Sequence, residues 1–438
     1  MNPSMDREDR PQAGAVGADD PLAWLGLGRS LAAQMRFGEA EAAFRRALEI
    51  APTHIPALRE LGLTLERTNR MDALGTLLDD AVAAGLGGEL PDLRALRALR
   101  EGSGEEAWAI ARTIDARADP VRLLALKAKC ADRAGDSAQA FAAAEAMNRA
   151  IPGYAEWRRV GRDFRNYLRS GCEAVAAWPR ELPTAPPTDR PSPAFLVGFP
   201  RSGTTLADTF LMGHPDVHVL EEVQMLATAA RSLPTDIDLP ATTPEQLGSA
   251  REVYYAELDR HLEPGVGGLV IDKLPLNMFS LPLIASLFPD ARFLFVQRHP
   301  CDCVLSAFMQ DFRLNAAMAS FLDLGDAAEL YDSGMRFFIK ARERTRLDIH
   351  TLVYEQLIAD PESTLRAAVD FLGLEWRPEL LDHRATAAAR GAIATPSYSQ
   401  VSHALSARPS GRWRRYEEQL AGILPLLQPW AERLGYSG

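Results

Sequence analysis

No uninterrupted apolar stretch in this chain approaches the roughly 20 residues that a membrane-spanning helix needs. The opening segment MNPSMDREDRPQAGAVGADD carries acidic residues and has no apolar core, so it does not read as a secretory signal. It reads instead as a disordered tail over residues 1–20. Cysteine is scarce. The four present, Cys130, Cys172, Cys301 and Cys303, fit neither a disulfide framework nor a zinc pattern, and Cys301-Asp-Cys303 is too closely spaced for a CxxC site. A surplus of positive charge is missing too. The net charge of −11 argues against broad nucleic-acid binding, while leaving room for a local basic pocket. These absences predict a cytoplasmic protein without a membrane span.

What is there suggests two parts. At 438 residues the chain exceeds the size at which one core stops growing, about 250–300 residues. Residues 21–177 read as helical, rich in Ala, Leu and Arg. Trp24, Leu27, Gly28, Ala40, Phe44, Ala47 and Pro52 stand at tetratricopeptide-repeat (TPR) spacing, and Leu58, Leu61, Gly62, Leu74, Leu78 and Ala81 follow 34 residues on. The stretch 90–116 fits that template poorly, and a last repeat is expected from near Val121. Two roles stand side by side for these repeats: a structural cap or dimer surface, and a groove that recruits a peptide or protein acceptor. Residues 178–193, dense in proline, read as an extended linker. From 194 to 438, strands at Ala194–Gly198, Gly268–Asp272, Arg292–Gln297 and Ile349–Tyr354 alternate with helical segments. That alternation predicts an α/β doubly wound parallel sheet with ligands at the carboxyl ends of its strands.

The most telling stretch is FLVGFPRSGTTL, Phe195 to Leu206. A buried strand runs into a loop framed by Gly198 and Gly203, and a helix begins at Thr204. Such a loop aims several backbone N–H groups at one point, which suits phosphate or sulfate. Its spacing is that of a nucleotide P-loop, with Thr205 at the hydroxyl position, but Thr204 stands where the lysine belongs. That lysine serves the β/γ-phosphates of a nucleoside triphosphate. Its absence favours a different donor.

These residues resemble the sulfotransferases that use 3′-phosphoadenosine 5′-phosphosulfate (PAPS), above all the TPR-bearing bacterial members and the tyrosylprotein sulfotransferases. PRSGTTL is similar to their 5′-phosphosulfate loop, assigning Arg201, Ser202, Gly203, Thr204 and Thr205 to the donor, with Arg201 also reaching the sulfuryl oxygens. A second motif, FLFVQRHPCDCVLSAF, resembles their 3′-phosphate site, with Arg298 and Ser306 as its grip. Some relatives have a further basic residue four after that serine; here it is Gln310. The resemblance implies a P-loop-type parallel-sheet sulfotransferase domain behind an all-α TPR-like domain. PAPS would be the donor co-substrate, an unidentified hydroxyl the acceptor, and no metal would be needed.

It also implies further roles. Glu222, the second of a Glu-Glu pair, matches the base of the tyrosylprotein type, and a change at Glu221 is expected to matter little. His214 and His218 are rivals for that role, His214 reading rather as a cap at a helix end. Lys273 matches a lysine near the leaving oxygen, and Asp272 is expected to hold Lys273 or a loop. Tyr354 resembles a tyrosine near the adenine. Arg412, twelve residues after Gln400, resembles a cation on the nucleotide, in a donor-covering segment. Ser397 and Ser399 flank the expected sulfuryl-contacting serine position, where Tyr398 stands. The arginine that follows the base by two residues in tyrosylprotein enzymes is Gln224 here, so peptide tyrosine does not follow directly as acceptor. Two other classes remain as alternatives: a P-loop kinase or nucleotide hydrolase, which would depend on magnesium, and a TPR scaffold with a degenerate nucleotide fold.

Overall fold

The computed structural model describes residues 19–179, 181–234, 239–263, 265, 267–389 and 410–436. The chain divides into two compact units between Ala143 and Ala144.

The first unit is all helix. α1 (Pro21–Ala33), α2 (Phe37–Ile50), α3 (Ile55–Arg67) and α4 (Met71–Ala83) follow one another through short turns, then α5 (Pro91–Arg100), α6 (Gly104–Ala111) and α7 (Pro120–Ala134). Small residues set the spacing. A Cβ on Gly28 would stand 2.4 Å from the Phe44 ring, and one on Gly62 would stand 2.3 Å from Leu93. Phe44, Leu61, Leu74 and Leu93 are almost wholly buried in one core. The stretch 90–116, which fits the 34-residue template poorly, forms the two short helices α5 and α6.

α8 (Ser137–Arg149) spans the division, and α9 (Tyr154–Ala177) belongs wholly to the second unit. The sequence grouped residues 153–177 with the helical region, but α9 lies against α15 (Leu324–Glu343) and the residues before it. The buried Arg165 pairs with Asp326 at 2.7 Å and Glu329 at 3.2 Å, and donates to Ser320 Oγ. At Gly161 any Cβ would meet the Ser320 backbone at 2.9 Å. The proline-rich 178–193 stretch is likewise fastened down rather than free. Ala185 N–H donates to Ser286 O at 2.8 Å, Arg251 donates to Pro186 O, and Arg190 pairs with Asp259 at 2.6 Å.

Five strands, all parallel, run in the order β2-β3-β1-β4-β5. They are β1 (Ala194–Gly198), β2 (Val217–Glu221), β3 (Leu269–Lys273), β4 (Arg292–Gln297) and β5 (Asp348–Val353). The edge strand β2 is the one the sequence expectation lacked. Its VHVLE run has His218 and Glu221 among its apolar residues, and only Val217 of the five is buried, so it carries a weaker strand signal than its neighbours. Between the strands lie α10 (Thr204–Leu211), α11 (Met225–Arg231), α12 (Pro244–Leu258), α13 (Leu281–Leu287) and α14 (Pro300–Phe308). After β5 come α16 (Tyr354–Ala359), α17 (Pro361–Leu372) and α18 (His383–Ala389), and the described chain closes with a 3-10 turn at Arg412–Tyr416 and a helix at Leu424–Arg433. Among the described residues, no helix is long and apolar enough to cross a membrane.

Candidate active site

β1 sits at the centre, beside β3 on one side and β4 on the other. From it the chain leaves toward β2, whereas β4 leads to β5 at the opposite edge. The carboxyl ends of β1 and β4 therefore frame the crevice where connections diverge, the usual ligand position in such sheets. Both sequence motifs open into it.

The loop after β1 is tightly built. Gly203 has φ +108° and begins α10; a Cβ there would lie 2.4 Å from the Tyr354 ring. One on Gly198 would lie 2.6 Å from Ser202 Oγ and 2.7 Å from Val296 O. Arg201 adopts φ +72°, a left-handed conformation that L-residues seldom take. Its Nε donates to Ser306 Oγ at 3.1 Å, joining the loop to α14. Arg298, just beyond β4, donates from Nη1 to Arg201 O at 2.9 Å and lies 4.7 Å over the Tyr354 ring. Arg201 and Gly203, Arg298 and Ser306, and Tyr354 thus come together from three separate stretches of sequence.

Electrostatics make this cluster anion-seeking. Burial pushes the Arg201 guanidinium down to about 10, and the nearby positive charges of Arg298 and Arg412 push the same way. A bound anion would relieve that repulsion, with helix N–H groups beside it. Ser202 Oγ is buried without a hydrogen-bond partner. An orphaned hydroxyl, a glycine-framed loop and three neighbouring cations fit a phosphate- and sulfate-bearing donor.

Lys273 forms a second cluster. It is fully buried and pairs with Glu221 at 2.8 Å, Asp208 at 3.2 Å and Glu222 at 3.5 Å. Burial alone would lower its pKa, but the three carboxylates outweigh that and raise it, so Lys273 stays protonated. Parallel register explains the contact, since Glu221 on β2 lies opposite Lys273 on β3. Glu222 then turns left-handed at φ +55°, with its N–H donating to Lys273 O at 2.8 Å. Its side chain remains 46% exposed against 17% for Glu221, so Glu222 is the more accessible carboxylate of the pair. Both glutamates pair with Lys273. α10 joins the two clusters, with Thr204 and Thr205 buried at its start and Asp208 one turn on. Asp208 was missed in the sequence; its signal was its place one helical turn after the loop threonines.

The remaining expectations divide. His214 Nε2 meets Glu375 O at 2.8 Å and its Nδ1 accepts from Asp216 N–H, which makes it a turn-holding residue. His218 Nε2 is likewise engaged by Gly267 O at 2.8 Å. Asp272 accepts from Tyr254 Oη–H at 2.9 Å and from Asn277 Nδ2 at 3.3 Å, so it secures the loop after β3 rather than Lys273. Gln310 Nε2 donates to Asp311 O at 3.1 Å, and Arg412 lies close enough to Arg201 to act on its charge. Ser397, Tyr398 and Ser399 lie outside the described residues.

Comparison with known proteins gives a family match over the sheet unit. Residues 193–378 match the model described as the sulfotransferase family. An uncharacterized protein of Aquifex aeolicus is 25% identical over 254 residues, covering 55% of this chain but 33% of that protein. Protein-tyrosine sulfotransferase 1 of Danio rerio is 26% identical over 260 residues, 55% of this chain and 71% of its own length. The Drosophila melanogaster protein-tyrosine sulfotransferase is 28% identical over 232 residues, 50% of this chain and 43% of its own. Matches thus span between a third and about seven-tenths of these relatives. Over residues 193–378, this chain is thus similar to the sulfotransferase family.

Proposed function

We propose that the chain moves a sulfuryl group from PAPS to an acceptor hydroxyl. The observation that carries this reading is the meeting of Arg201, Ser306 and Arg298 at the β1/β4 crevice, with Tyr354 pressed on Gly203. Arg298, Ser306 and Arg412 would hold the nucleotide end. Arg201, Ser202 and the N–H groups at the start of α10 would hold the phosphosulfate end. Bound there, PAPS supplies an activated sulfur whose bond to the phosphate oxygen breaks as the acceptor oxygen bonds to it. Glu222 takes the hydroxyl proton, and Lys273, kept charged by its carboxylates, opposes the negative charge that leaves with 3′,5′-adenosine bisphosphate. Cationic side chains take the part that magnesium has in phosphoryl transfer.

For the acceptor, protein tyrosine is the first class to test, because the curated relatives carry that name; Gln224 is the residue that argues for testing carbohydrate, lipid and phenolic hydroxyls beside it. The helices of the first unit we read as TPR-like repeats, with a peptide or protein acceptor as their partner. We place the domains at 21–177, 178–193 and 194–438 by sequence, with α9 packed in the sheet unit.

Thermal stabilisation separates this reading from a P-loop kinase, because a ligand that binds only the folded state raises its stability. The bisphosphate should shift the melting temperature of the purified chain strongly, and ATP, with or without magnesium, far less. An equal or larger shift with magnesium ATP would overturn the sulfotransferase reading.

A further inference from the structure

We infer that Asp302 is a positioning residue for the donor site, one that clamps the strap at residues 410–416 so that Arg412 stands beside Arg298 and Arg201. The inference rests on the donor reading above and concerns a residue that touches no donor atom in it. Asp302 is the third residue of α14, four before Ser306 in the chain, and almost wholly buried. An aspartate in a helix's first turn ordinarily serves that helix's own N-terminus. Here that duty falls to His299, whose Nδ1 accepts from Cys301 N–H at 3.2 Å. Asp302 faces the strap instead: Oδ2 accepts from Gly411 N–H at 2.7 Å and Oδ1 from Trp413 N–H at 2.9 Å.

The two donors flank Arg412, and Gly411 adopts φ +68°, the left-handed turn that lets both N–H groups face one carboxylate. The strap is steadied on either side. Trp413 stacks on the His299 ring at 5.0 Å, while Arg412 Nη2 meets Met309 Sδ at 2.9 Å and its guanidinium lies 5.5 Å from the Tyr416 ring. Burial pushes the Asp302 carboxyl up, and Arg298, the two N–H groups and Arg412 pull the other way without fully offsetting it. The carboxylate thus stands between the arginine assigned to the 3′-phosphate and the strap arginine, within the second motif and between Arg298 and Ser306 in the chain. Asparagine keeps one acceptor oxygen, so it would lose one of the two backbone hydrogen bonds together with the charge that lets two arginines share one pocket.

The test is a double-mutant cycle on the full chain, with 3′,5′-adenosine bisphosphate as the probe, read by calorimetry. Asp302→Asn should weaken binding about tenfold or more, the scale of a lost charge-assisted hydrogen bond, and raise KM for PAPS more than it lowers kcat. Arg412→Ala should weaken binding similarly, and the double variant should bind no worse than Arg412→Ala alone. Effects that multiply, or normal binding by Asp302→Asn, would overturn the inference while leaving the donor reading intact. Failure of the unaltered chain to bind the bisphosphate would remove both. Should Asp302→Asn not fold, Asp302→Glu takes its place: it keeps the charge but displaces both acceptor oxygens, and unchanged affinity in it would likewise overturn the clamp.

Discussion

The glutamate pair divides its work at the distance of single residues. Glu221 makes the shorter contact with Lys273, 2.8 Å against 3.5 Å, yet Glu222 has the open side chain. Glu222→Gln keeps the size of the side chain and removes its ability to accept a proton. Turnover should fall about 10²–10⁴-fold, the usual worth of a general base, with affinity for 3′,5′-adenosine bisphosphate unchanged. Glu221→Gln leaves Lys273 paired with Asp208 and Glu222 alone, so Glu222 is drawn further toward the lysine, and turnover should fall by a smaller factor of about 10. Single-turnover measurements on both variants decide this. Near-normal turnover in Glu222→Gln would place the base elsewhere. Both glutamates were legible in the sequence as candidates. Their joint hold on Lys273 was not, because it depends on β2 lying beside β3.

Among elements, the tie between α12 and β3 sets a pH dependence of stability. Burial pushes the Asp272 carboxyl up to about 7, with Tyr254 of α12 donating to it. In an unfolded chain the same group titrates near ~4. A carboxyl whose pKa folding raises stabilises the fold while it is protonated, below its unfolded value. It loses that contribution as pH climbs to about 7. A rise of roughly three units corresponds to about 4 kcal/mol at most. Asp272→Asn stays neutral and still accepts from Tyr254, so it should melt at a higher temperature than the parent at pH 8 and at nearly the same temperature at pH 4. Calorimetric scans at the two pH values check this, and a variant less stable at both would refute it. The strands β1, β3 and β4 were readable as apolar, β-branched runs. The edge strand β2 carried a weaker pattern, because one of its faces need not be apolar.

For the whole molecule, the place where the chain can be cut follows from α9 rather than from the prolines. Removing α9 would leave Asp326 and Glu329 without Arg165 and uncover Phe337, which lies 3.1 Å from where a Gly171 Cβ would stand. A fragment of residues 144–438 should therefore fold and bind 3′,5′-adenosine bisphosphate, whereas residues 179–438 should aggregate or melt far lower. Equal melting temperatures for the two fragments would show that α9 adds nothing to the sheet unit. Loss of acceptor turnover in the longer fragment, with nucleotide binding kept, would assign acceptor selection to the helical unit.

The sequence by itself determined the local chemistry: a glycine-framed loop between a buried strand and a helix, an arginine and serine after a second strand, and small residues at helix-packing intervals. These are short-range patterns, set by backbone sterics and by which residue types a strand or helix tolerates. Only the tertiary structure decided what lies across space. Arg201 donates to Ser306, 105 positions away, Lys273 gathers Asp208, Glu221 and Glu222, and Asp302 grips a strap more than 100 residues on. Such contacts depend on strand order and on the burial of paired charges, and neither is encoded in the spacing of any one motif.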